Sequence, residues 1–383
     1  MHNHHLRMTL VALVLCLATV SVTNAARPGG GGGGGKTAPD PEIIYMSDDG
    51  STEALSQGAV RGIDLAADGA SGSDLSLLRS KSGRLYHAVA WSPDGKLAAW
   101  YEIGLGMVST PESIVVAPTG GKPVPVFTSM PGDGQPQLST STDALAWGPD
   151  CSGNAQSILV FASHDPAGIY GIRFKAGVAG APEPLMLQTV DPQYWVFPSA
   201  FAFSPSGQYL AFAGSGSISG KSSYGVWLLP MCPEGGAPFR LLSSSEIGGR
   251  GMGPVMSIDW SRHGDRLALS VTTGPDPSYP WRDLKIAYLN YLKVGGVEQV
   301  LEHNGVVTID LDEQFTAASS EHSPQWGPSA AGEECQRIAF SQSSDAGRKL
   351  YLLDIGPNGL LASCGIPVPR LLSAKWPRAL DWK

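Results

Sequence analysis

The feature that most limits what this chain can fold into is a phrase repeated at nearly constant spacing: an aromatic residue, a short turn and an apolar run. Trp91-Ser-Pro-Asp-Gly95 leads into Leu97-Ala-Ala-Trp100, and Trp147-Gly-Pro-Asp150 into Ile158-Leu-Val-Phe161. Phe203-Ser-Pro-Ser-Gly207 runs into Tyr209-Leu-Ala-Phe212, Trp260-Ser-Arg-His-Gly264 into Arg266-Leu-Ala-Leu269, and Trp326-Gly-Pro328 into Arg337-Ile-Ala-Phe340. The anchors are 56, 56, 57 and 66 positions apart, and a sixth, Trp382, follows 56 later. A fixed period of this size marks a repeat architecture in which each unit buries its apolar face against the next.

Within a unit the grammar is that of four short strands. The third shows it in Ala144 to Trp147, Ser157 to Ala162, Gly168 to Phe174 and Glu183 to Leu187, separated by turn-forming segments. The 48 glycines and 30 prolines make up about a fifth of the 383 residues, and they break every unit too often for a 3.6-residue apolar period. The class expected is therefore all-β, a propeller of four-stranded antiparallel blades. Trp382 lies one residue before the last position, where a second strand should follow, while Glu42 to Ser47 reads as a second strand without a first. Joined with Val60 to Ala66 and Leu75 to Arg79, these segments make one composite blade, for six in all. Such an overlap closes the ring. The aromatic anchors fill the wedge between blades, and Asp94 and Asp150 cap turn amides.

The phrase Trp91-Ser-Pro-Asp-Gly-Lys96 followed by Leu-Ala, with Lys349-Leu-Tyr-Leu-Leu-Asp354 and Arg370-Leu-Leu372, resembles the repeat of TolB-type six-bladed propellers over residues 42 to 383. The resemblance implies the fold and leaves function open, because such propellers also serve as peptidase lids and as enzymes. The α/β domain that precedes the propeller in TolB itself is not expected here.

Residues 1–25 read as a signal peptide: thirteen apolar residues from Leu10 to Val22, too short to span a membrane, end in small residues near Ala25. A flexible Gly-rich leader follows over 26–41, and no transmembrane segment is expected after cleavage. The protein is thus expected to be exported, periplasmic or extracellular. Four cysteines remain after the signal, and their turn positions pair Cys335 with Cys364 and Cys151 with Cys232.

A formal charge of -8 gives no basic excess for nucleic acid. The face carrying the second-to-third-strand loops and the inter-blade loops gathers Tyr194, Trp195, Phe197, Tyr279, Trp281 and Arg282, residue types enriched at binding hot spots. The ten extra residues of the 66-residue step fall on the same face between Glu302 and Ser323, with Asp310, Asp312 and Glu313. The function expected is a monomeric, non-catalytic module binding an envelope or extracellular protein, a peptide or a glycan, without cofactor or metal. The three carboxylates match no calcium loop. The alternative is a hydrolase or lyase with its site in the central channel, although no G-x-S-x-G elbow or phosphate loop is present.

Overall fold

The computed structural model describes residues 41–47, 59–65, 72–78, 84–104, 110–118, 121–139, 144–187, 198–218, 221–232, 236–249, 255–274, 281–295, 297–309, 311, 315, 320–327, 335–344, 347–356, 369–374 and 377–383. These form six antiparallel sheets of four strands, the six blades of a β-propeller. The innermost strands, in blade order, are Pro377–Trp382, Arg84–Trp91, Leu145–Pro149, Ala200–Phe203, Val255–Trp260 and Ser320–Trp326. Blade three adds a two-residue strand, Gln137–Leu138, on its second strand.

Closure follows the composite scheme. Pro377–Trp382 pairs with Ile43–Ser47, placing Ile43 opposite Trp382, and Ala59–Leu65 and Gly72–Leu78 complete blade one. The hydrophobic core consists of six clusters, one at each junction of neighbouring blades. The closing junction packs Ile43, Tyr45, Leu380 and Trp382 of blade one against Ala339, Leu350 and Leu352 of blade six. Burial therefore seals the ring as well as the ladder does. Tyr45 adds a polar latch there, its hydroxyl donating to Asp74 Oδ2 at 2.6 Å and lying 2.9 Å from Ser373 Oγ of blade six.

The repeated phrase builds the same turn in three blades. In blades two, four and five the Ser carbonyl accepts the turn Gly amide, 2.8 to 2.9 Å away, and the Ser hydroxyl accepts the first amide of the second strand. Gly95, Gly207 and Gly264 lie at φ of 66°, 75° and 82°, where a side chain would be strained. Asp94 and Asp150 cap their turns as expected: Asp94 Oδ1 accepts from Ser92 Oγ, and Asp150 accepts the amides of Ser152 and Ala155.

One expectation is overturned. The long step of blade five does not lengthen its link to blade six, since Ser129 to Trp147, Ser243 to Trp260 and Thr308 to Trp326 agree within one residue. The extra length lies instead in the outer hairpin, Arg282–Val294 and Val297–Thr308. In blades two, three, four and six the third strand stops within one residue of the partner of the second strand's first residue. In blade five that partner is Tyr288, and the strand runs on to Val294. The 66-residue spacing alone could not say which end of the blade had grown.

A candidate binding site at the channel mouth

First and third turns emerge on one face of the disc, and there the channel opens into a cavity of about 540 Å³. Its wall is made from the anchors Trp91, Trp147, Phe203, Trp260 and Trp382 with the turn residues that follow them. The packing explains why a small residue follows each anchor inside the ring. A Cβ at Gly148 would meet the Phe203 ring at 2.2 Å, and one at Gly327 would meet the Trp382 ring at 2.5 Å. Each of these rings thus leans on the residue after the preceding blade's anchor. At the closure that residue is Lys383, whose Nζ lies 5.1 Å from the centre of the Trp91 ring, a cation–π contact.

The residue before each anchor divides the ring in two. Blades two, three and four place Ala90, Ala146 and Ala202 there, whereas blades five, six and one place Asp259, Gln325 and Asp381. The two carboxylates act as straps between blades. Trp326 N–H donates to Asp259 Oδ2, and Trp91 N–H donates to Asp381 Oδ2. Burial raises the Asp381 carboxyl to about 6 against the pull of the Trp91 and Trp382 amides. Burial, then the nearby Asp381 charge, pushes Asp259 well above the usual carboxylate range. Arg262, exposed in the first turn of blade five, lowers both and lines the same cavity.

The wall therefore presents flat apolar rings, the Arg262 guanidinium, the Lys383 ammonium and two carboxylates, the exposed Asp94 and the recessed Asp381. Its two serines are committed to the fold: Ser92 Oγ donates to Asp94, and Ser204 Oγ donates to Glu298 Oε2 at 2.6 Å. Among the described residues no group of three or more His, Cys, Asp or Glu is placed to hold a metal.

Of the residues expected to bind on the opposite face, two are described. Trp281 is 48% exposed. The Arg282 guanidinium turns inward to His322 Nδ1, between blades five and six, and His322 Nε2 lies 2.9 Å from Ser343 Oγ. Tyr194, Trp195, Phe197, Tyr279, Asp310, Asp312 and Glu313 lie outside the described residues. Cys151 and Cys232 are bonded, with Cα atoms 6.1 Å apart, joining the first turn of blade three to the third turn of blade four as expected. Cys335 is disulfide-bonded, and its expected partner, Cys364, lies outside the described residues. The channel mouth itself was missed in the sequence. Aligning the repeats at the residue before each anchor would have exposed the Ala/Ala/Ala and Asp/Gln/Asp halves.

No protein-family model matches the chain, and no curated protein matches it. Among solved structures it is similar to TolB from Acinetobacter baumannii, with 15% identity, a TM-score of 0.48, and coverage of 89% of this chain and 66% of that one. A puromycin-hydrolyzing peptidase of Mycobacterium tuberculosis matches with 14% identity, a TM-score of 0.46 and coverage of 76% and 38%. An oligogalacturonate lyase in complex with manganese matches with 10% identity, a TM-score of 0.41 and coverage of 77% and 70%. The chain spans just under two thirds of the TolB and under two fifths of the peptidase. These are likenesses of overall shape, at identities too low to carry an activity across.

Proposed function

We propose that the protein is an exported, non-catalytic binding scaffold that holds a peptide, protein or glycan segment at the channel mouth. One observation carries this reading: the wall's hydroxyls are spent on turns, while aromatic faces and charges of both signs remain at the cavity. Such a wall can orient a ligand by stacking and charge. Among the described residues the wall holds no nucleophile with an adjacent base, the pair that a nucleophilic hydrolase uses. The Cys151–Cys232 bond supports an oxidising compartment. The opposite face, with exposed Trp281, is the competing surface.

The test is crosslinked capture from an envelope extract with the wild type, Arg262→Glu and Trp281→Ala. Partners lost with Arg262→Glu and kept with Trp281→Ala support the mouth. The reverse pattern moves the site to the loop face, and the same partners in all three samples exclude both.

A further inference from the structure

On the mouth face the first turn of one blade meets the third-turn end of the next, and at three seams the two are tied. Cys151 bonds to Cys232 between blades three and four. Glu298 of blade five forms a clasp on the first turn of blade four, accepting from Ser204 Oγ and the Ser206 amide. Arg266 of blade five donates to the Gly356 carbonyl of blade six at 3.2 Å. The seam between blades two and three is built differently. At the same position it holds an opening of about 200 Å³, lined by Pro93 and Leu97 of blade two and by Trp147 and Phe174 of blade three, whose ring centres are 4.6 Å apart.

The hydroxyls and the carboxylate around this opening are engaged within their own blades. Ser92 Oγ donates to Asp94 and accepts the Leu97 amide, while Asp94 also accepts the Lys96 amide and pairs with Lys96 Nζ at 3.1 Å. Ser157 Oγ accepts from Trp147 Nε1 at 3.0 Å, and Gln156 Oε1 accepts the Ala176 amide. Leu97, Trp147 and Phe174 belong to the core that fills this seam, so the opening is the uncovered end of an apolar layer. It is also continuous with the channel mouth. Ser92, Pro93, Asp94 and Trp147 line both.

We propose that this opening is a side-chain subsite of the mouth, taking one leucine-sized apolar residue of a bound polypeptide where the segment leaves the mouth across the seam of blades two and three. The inference rests on the mouth being the binding site. Three features select such an occupant. The shared wall lets one extended segment fill both spaces, with its backbone over the turn of blade two. The size is right, since an apolar cavity of about 150 Å³ accepts a molecule as large as benzene. A sugar seated there would face Leu97 and the Trp147 and Phe174 rings, and its hydroxyls would find Ser92 and Ser157 already bonded. An aliphatic or aromatic side chain asks for no partner, and its burial is favourable.

The test uses isotope-labelled protein recovered after export, with the Trp147 indole resonance identified through Trp147→Phe. N-acetyl-leucinamide should shift that resonance saturably. N-acetyl-glycinamide and methyl glucoside should act roughly tenfold more weakly or less, and Leu97→Trp, which fills the opening, should abolish the response and melt with the wild type. The comparison of the three probes needs the wild type alone, so it decides even where Leu97→Trp does not fold. No saturable shift, equal shifts from the three probes, or a response kept by folded Leu97→Trp overturns the proposal. In the crosslinked capture, partners that depend on Arg262 should fall roughly tenfold with Leu97→Trp. Such partners held at full strength by folded Leu97→Trp overturn the subsite and leave the mouth standing. Partners indifferent to Arg262→Glu remove the mouth, and the subsite with it.

Discussion

Blades three and four are tied at their turn face by Cys151–Cys232, whereas blades four and five are tied at the equivalent place by Glu298 reaching the first turn of blade four. Blades five and six use a third device, Arg266 donating to the Gly356 carbonyl at 3.2 Å. The same division runs through the inner ring, with alanine before the anchor in blades two to four and Asp259, Gln325 and Asp381 in blades five, six and one. Every junction is packed with apolar side chains; the first side adds the Cys151–Cys232 bond, and the second adds buried carboxylates at the inner ring. Loss of that bond should act the same at every pH, whereas the contribution of the carboxylates should change with pH.

The largest effect is expected from removing the covalent tie. Replacing Cys151 and Cys232 together with alanine, at a separation of 81 residues, should cost about 4 kcal/mol on the chain-entropy account. The double variant is preferable to a reductant because Cys335 is also bonded. Urea unfolding should give the same loss at pH 5 and pH 7.5; a loss that varied with pH would join the two sides into one coupled system.

Next in size is Glu298→Ala, which strands the Ser204 hydroxyl, the Ser206 amide and the Tyr291 hydroxyl. A cost of roughly 2–3 kcal/mol follows from leaving such groups unpaired. If the variant unfolds at the wild-type urea midpoint, the clasp does not hold blade five to blade four.

The smallest effect concerns pH. Asp381 binds its proton more tightly folded, at about 6, than unfolded, near 3.9. Its contribution is therefore present in full below about pH 4 and is lost as pH rises through about 6, with Asp259 shifted the same way. His322, whose burial lowers its pKa, acts with the opposite sign below about 6.5, so the whole protein's profile mixes the two. The difference between Asp381→Asn and wild type isolates the first. It should move in the variant's favour by on the order of 1–2 kcal/mol between pH 5 and pH 7.5. A flat difference would mean that Asp381 titrates as it does in water.

Much of this architecture was readable because the repeat writes it six times. Anchor spacing marked the blades, the unmatched half-phrases at Glu42 and Trp382 marked the composite sheet, and turn positions were enough to pair Cys151 with Cys232. What escaped was direction. A spacing of 66 does not say that the third and fourth strands grew past Tyr288. Nor does an arginine beside an exposed tryptophan reveal that Arg282 turns inward to His322. The straps escaped for a related reason: Asp259 and Asp381 gain their roles from amides on the next blade, 67 and 290 positions away.

Pairing Ile43 with Trp382 has a mechanical consequence. The strands are antiparallel, so the chain enters and leaves blade one at the same corner, where the Lys383 amide donates to the Glu42 carbonyl at 2.9 Å. Tension applied through the two ends would load one rung at a time and peel the seam open like a zip, instead of shearing every rung together. A ring held by six buried junctions would then open first at that corner.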